Sequence, residues 1–160
     1  MLRKAIAVAV VVAAVVASGS ALAASKGGTT VLLHKTKLGK VLSTSSGMTL
    51  YLYTPDAKNK SNCYTGCISF WPALLAKGKV QAGPGLKQSL FGVTTRKNGQ
   101  RQVTYAGHPL YRYVGDSKAG QVNGQGYQSI WYVLNAAGNA VKHAPASSAP
   151  PTPTTTTPYP

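Results

Sequence analysis

Between residues 30 and 134 the apolar residues fall in short runs rich in Val, Leu, Thr and Tyr, broken by Gly, Ser and Asn, and no stretch keeps a 3.6-residue period for three turns. That pattern predicts strands. Thr30 to Thr36 reads as one, and "KVLSTSSGMTLYLYT" as two joined through Ser45-Ser46-Gly47. "SLFGVTTRKNGQRQVTYAGHPLYRYV" reads as three, with Asn98-Gly99 marking a hairpin between the first pair. A further strand is expected from Ser129 to Leu134, turning through Ala137-Gly138-Asn139. Only "FWPALLAKG" suits a helix, of one turn or two, with Pro72 at its start. The fold class is therefore all-β and antiparallel.

Sliding the chain by 60 positions lays Gly47–Leu74 on Gly107–Leu134 without a gap, and ten of the twenty-eight pairs are identical. Both Trp residues (Trp71, Trp131) and both acids (Asp56, Asp116) are among them, so the agreement falls on the rarest residue types. Two copies are too few for a solenoid. A single pseudo-symmetric domain is expected, built from two repeats of about 60 residues: repeat one over 40–80 and repeat two over 90–142, within a domain spanning 40–142.

Side chains alternate across a strand, so Tyr51 and Tyr53 share one face and Leu50 and Leu52 the other. Arg112 replaces Leu52 in the second copy while Tyr111 and Tyr113 stand in for the tyrosines, which makes the Tyr face the packed one and the Leu/Arg face half-exposed. A buried phenol needs a hydrogen-bond partner. Asp56 follows Pro55 and Asp116 follows Gly115, positions that suit a local turn whose amides the carboxylate accepts. Two carboxylates are also what glycoside hydrolysis requires. Acid/base catalysis, however, needs two environments that push the pKa values apart, and a duplication supplies one environment twice. No nucleophile elbow accompanies His108 and Asp116, and "NGQGYQ" lacks the strand–loop–helix setting of a phosphate cradle. The chain is read as not an enzyme, with no cofactor.

The ends differ from the middle. Residues 1–23 combine Arg3-Lys4, an apolar run shorter than a membrane span and an Ala-x-Ala close, the three parts of a secretory signal. No transmembrane helix is expected to be retained. Residues 24–39 form an N-terminal segment and first strand, and 143–160, made almost wholly of Pro, Thr, Ser and Ala, read as a disordered tail or glycosylated stalk. The formal net charge is +15, from 17 Lys and Arg against 2 acids. For an exported chain, with Lys scattered and no single-strand-binding signature, anionic cell-envelope polymers or lipid head groups fit this charge better than nucleic acid.

The "YxYxxD" pattern read twice, "CYTGCISFWP" after the first copy and "YAGHPLYRYVGD…GQGYQSIWYVL" around the second resemble the bacterial secreted-repeat family of predicted lipoproteins with a Yx(FWY)xxD motif. The resemblance implies an exported all-β repeat domain of the cell envelope or medium and no particular reaction. The lipid-bearing Cys of some members is missing here.

Cys63 and Cys67, the only two cysteines, are expected to form a disulfide in an oxidising compartment. Met48 and His108 each follow the repeat's glycine, and about a pseudo-twofold axis they could pair as a copper-type metal site, with His34 as a third donor. That is the alternative to the leading expectation, an exported non-enzymatic module binding anionic surface material. The structural repeat motif comprises Tyr51, Tyr53, Asp56, Trp71, Tyr111, Tyr113, Asp116 and Trp131.

Overall fold

A computed structural model describes residues 27–142. The signal-sequence and tail expectations, on 1–23 and 143–160, lie outside the described residues. Eight strands and one α-helical turn follow in order, β1 (Thr29–Thr36), β2 (Gly39–Thr44), β3 (Tyr51–Tyr53), α1 (Cys67–Phe70), β4 (Val80–Ala82), β5 (Phe91–Thr95), β6 (Arg101–Tyr105), β7 (His108–Pro109) and β8 (Trp131–Val133), with short 3-10 turns at Gln88–Leu90 and Tyr127–Ser129. They form three small sheets, β2-β1-β4, β3-β8 and β5-β6-β7. No helix among the described residues is long and apolar enough to cross a membrane.

The expected hairpins form. β1 and β2 close over a two-residue loop with Thr36 opposite Gly39, whose φ of 92° suits the residue without a Cβ. β5 and β6 turn through Asn98-Gly99, where Gly99 (φ 80°) donates its amide to Arg96 and Arg96 donates to Gln100. After β8, Asn135 and Asn139 close the turn at Ala137-Gly138.

Three details differ from the sequence reading. The strand pairing is antiparallel except for β1 with β4, a short parallel pair that the sequence did not mark. The helical turn precedes Pro72 instead of starting there, since the residue before a proline is driven out of the α region, and Trp71 has φ −124° and ψ 71°. Beyond Pro72 the chain runs extended, bridging Ala73 to Tyr111 and Leu75 to Gln102.

The third concerns burial. Leu50 and Leu52 are as buried as Tyr51. Leu50 and Leu52 join one apolar cluster with Val31, Leu42, Val103 and Leu134, whereas Tyr51 joins another with Trp71, Tyr111 and Trp131. β2 is split in the same way, Val41 to one side and Leu42 to the other, so these strands lie between two half-cores. Only Arg112, in the second copy, faces out as expected.

Candidate functional site: an exchanged aromatic centre

The two repeats meet back to back at their tyrosine segments. Tyr51 and Tyr111 exchange both backbone hydrogen bonds, at 2.9 and 3.0 Å, which places a pseudo-twofold axis between them. On either side each repeat pairs with the other's Trp segment: Thr54 donates to Ile130 at 2.9 Å, and Val114 donates to Phe70 at 3.0 Å. A residue and its repeat-mate thus see equivalent surroundings supplied by the opposite copy.

The side chains obey the same exchange. The Tyr51 hydroxyl donates to Asp116 Oδ2 at 2.6 Å, and the Tyr111 hydroxyl to Asp56 Oδ2 at 2.7 Å. The tyrosine comes from the other copy, because an extended strand carries its side chain away from its own turn and toward the neighbouring repeat. The other carboxylate oxygen is bound locally: Asp56 Oδ1 accepts from the Asn62 amide at 2.6 Å and Asp116 Oδ1 from the Asn123 amide at 2.9 Å. Each asparagine side chain returns a bond to the carbonyl before the aspartate, Pro55 or Gly115. The pairing of Asn62 with Asn123 has a spacing of 61, not 60, which a gapless slide conceals.

Burial is the main influence on these acids. It pushes the Asp56 carboxyl up to about 6 against the opposing pull of the Asn62 amide, the Tyr111 hydroxyl and the Arg96 charge. Burial also raises Asp116, and it raises both phenols, whose carboxylate partners add to the effect. The copies differ in one buried cation. Arg96 donates to Ser61 Oγ, to Gln102 Oε1 and to the Cys63 carbonyl, and its guanidinium lies 4.7 Å from the Tyr64 ring centre. Ser61 continues the network to the Tyr111 hydroxyl at 2.7 Å, so Asp56, Tyr111, Ser61 and Arg96 form one chain of polar contacts. In the second copy the Gly124 amide faces the Tyr51 hydroxyl instead, at 3.3 Å.

Across the axis the two indoles stack. Trp71 and Trp131 lie with ring centres 3.8 Å apart and planes within 2°. Tyr53 caps Trp131 and Tyr113 caps Trp71, each at 4.4 Å, giving a four-ring pile in the order Tyr53, Trp131, Trp71, Tyr113. Tyr51 and Tyr111 stand edge-on to Trp71 and Trp131. Gly124 passes so close that a Cβ there would sit 2.6 Å from the Trp71 ring.

The pile forms the floor of an open cleft of about 280 Å³. Phe70, Cys67, Tyr127, Gln128 and Ile130 complete its walls. The Cys67 wall is tied by the expected disulfide to Cys63. The sequence pattern does not mark this cleft, because most of its wall positions differ between the two copies.

Of the candidate metal residues, Met48 lies between β2 and β3 and His108 on β7. Met48 lines a small groove with Pro72, Arg112, Tyr113, Val114 and Asp116. His108 is not in that lining; it lies on β7 opposite Tyr105, with burial lowering its pKa. His34 packs toward Gly47 and Gly120. The described residues hold no group of three or more His, Cys, Asp or Glu placed to bind a metal ion.

A family model described as a secreted repeat of unknown function matches residues 33–75 and again 92–135. The two matched segments carry the two tyrosine strands and the two Trp segments that exchange partners across the axis. Searches of curated proteins and of solved structures find no match.

Proposed function

The chain belongs to the family of secreted repeats of unknown function, and from that premise we propose that it is a non-enzymatic extracytoplasmic module that binds anionic envelope material through its basic surface. One observation supports this most. The protein's only two carboxylates both turn inward to tyrosine hydroxyls and asparagine amides. Among the described residues every Lys and every Arg except Arg96 is exposed, so the outer surface carries cations with no exposed acid to neutralise them. Lysines scattered among carboxylates pair with one another and give little long-range field; lysines without them act together on an anionic surface.

Co-sedimentation of the full chain with vesicles of phosphatidylglycerol, and separately with an acidic polysaccharide, tests the reading. Binding to both should fall steeply as salt rises from about 0.05 to about 0.5 M, since screening shortens the reach of exposed charges to a few ångströms. Neutral phosphatidylcholine vesicles should bind little. Equal binding to neutral vesicles, or binding indifferent to salt, would overturn it.

A further inference from the structure

The cleft above the Trp71–Trp131 pile carries no charged side chain in its lining, although it opens on a surface whose exposed ionised groups are cationic. What it offers is flat apolar area and neutral hydrogen-bonding groups. Phe70 is 61% exposed and Tyr127 is 44% exposed, values unusual for large aromatics that only pack. The phenols of Tyr53 and Tyr113 and the amide of Gln128 line the same space.

The duplication shows how this cleft came to differ from its scaffold. At the floor the paired positions are identical, Tyr53 with Tyr113 and Trp71 with Trp131, as the symmetric pile requires. At the walls most positions diverge: Cys67 corresponds to Tyr127, Phe70 to Ile130 and Gln128 to Ile68, while Gly66 keeps its repeat-mate Gly126. Gln128 and Ser129 also hold φ values of 49° and 58°, a left-handed conformation that residues bearing a Cβ seldom adopt, and two in succession are rarer still. Unfavourable backbone of this kind collects where a side chain must be aimed. The opposite wall is fixed by the Cys63–Cys67 disulfide. A symmetric floor under an asymmetric, rigid rim is what a site needs to receive a ligand that has no twofold symmetry.

We infer that this cleft is a binding site for one pyranose ring of an acidic glycan, the ring lying against Phe70 and Tyr127 while the glycan's acid groups meet the basic exposed surface. The axial C–H groups of a pyranose carry slight positive charge and suit the negative face of an aromatic ring. Ring hydroxyls suit the phenols of Tyr53 and Tyr113 and the Gln128 amide. A charged sugar substituent finds no partner in the lining, which places it outside, among the cations. At about 280 Å³ the space is at the small end of ligand sites, so it takes one ring and not a folded chain. The choice of an acidic glycan rests on the surface-binding reading above; the cleft's preference for a sugar ring does not.

Two probes separate the claims: a hexasaccharide alternating glucuronic acid with N-acetylglucosamine, and a neutral hexasaccharide of N-acetylglucosamine. Each is titrated into the full chain, into Phe70→Ala, into Tyr127→Ala and into a surface variant with Lys97→Gln and Arg112→Gln, Lys97 lying over the Tyr64 ring beside Cys63 and Arg112 lining a groove that shares Tyr113 with the cleft. Both aromatic positions are exposed, and retained near-ultraviolet circular dichroism of the Trp pair shows that the variants fold. At about 0.5 M salt, where charge attraction is screened, the acidic probe should still bind the parent chain. It should bind Phe70→Ala and Tyr127→Ala at least tenfold more weakly. The surface variant should weaken binding of the acidic probe at low salt only. If the aromatic variants bind both probes like the parent while salt dependence persists, the cleft inference fails and the surface reading stands. If they lose binding but salt has no effect on the acidic probe, the surface reading fails and the cleft stands. Neither probe binding at all, or free indole occupying the cleft in preference to both, overturns the inference.

Discussion

Tyr111 of the second repeat donates its hydroxyl to Asp56 of the first at 2.7 Å, and the mirror bond from Tyr51 to Asp116 is 2.6 Å. A hydrogen bond to a charged acceptor is worth roughly 1.5–3 kcal/mol. Two such bonds crossing between the copies make each repeat depend on the other for its buried phenol. They also account for where the protein's two acids are found: each sits where a tyrosine of the opposite copy ends.

Acid should affect this fold in an unusual direction. The Asp56 carboxyl is raised to about 6 when folded, and Asp116 is raised as well, so the folded chain holds these protons more tightly than the unfolded chain does. By linkage, their contribution to stability grows as pH falls from about 6 toward the ordinary carboxyl range near 4. His108, lowered by burial, acts oppositely and loses stability as pH falls through its folded value. Comparison with Asp56→Asn isolates the carboxyl. The urea midpoint of the parent, relative to that of the variant, should rise between about pH 6.5 and about pH 4.5. A relative midpoint that drops with acid would contradict the burial of Asp56.

The Trp pair gives a spectroscopic prediction. Two indoles 3.8 Å apart in parallel planes couple their intense far-ultraviolet transitions, so the folded chain should show a circular dichroism couplet on that indole band. Trp71→Phe and Trp131→Phe should each abolish it, since either removes one partner. Truncation to Ala at either position should cost about 3–5 kcal/mol, as for other large buried aromatics. A couplet that survives one substitution would mean that the rings do not stack.

The disulfide closes a very small ring. Loop entropy assigns it about 2 kcal/mol, and removing both sulfurs (Cys63→Ser with Cys67→Ser) should lower stability by no more than that in urea titration. The loop it holds also presents the Cys63 carbonyl to Arg96. The double variant should therefore loosen hydrogen-exchange protection around Tyr64 and Arg96 before it affects the β1–β2 hairpin. Uniform loss of protection across the domain would contradict a local role.

Much of this architecture could be read from the residues. The duplication, the Asn98-Gly99 hairpin, the strands at Thr29–Thr36 and Trp131–Val133 and the disulfide follow from local pattern and count. Partner choice could not be read. Tyr51 has an aspartate five residues on, and nothing in the order of residues says that it bonds the one 65 positions away. The parallel strand at Val80–Ala82 is three residues long, too short for any periodicity to show. Leu52 seemed half-exposed because its repeat-mate is Arg112, but a pseudo-symmetric pair need not be equally buried when the two half-cores differ. The cleft is hidden for a related reason: the duplication marks identical pairs, and most of the cleft's walls are where the copies part. The asparagine six or seven residues after each aspartate, Asn62 and Asn123, was the available signal for the aspartate turns, one register step out of alignment.

The exchange of tyrosine–carboxylate bonds between the copies is what leaves the exposed surface with cations alone. Double-mutant cycles in urea, using Tyr→Phe and Asp→Asn, measure it directly. Tyr111 with Asp56, and Tyr51 with Asp116, should each show coupling of about 1–3 kcal/mol. The pairs within one copy, Tyr51 with Asp56 and Tyr111 with Asp116, should be additive within about 0.5 kcal/mol. Strong coupling within a copy and additivity between copies would contradict it.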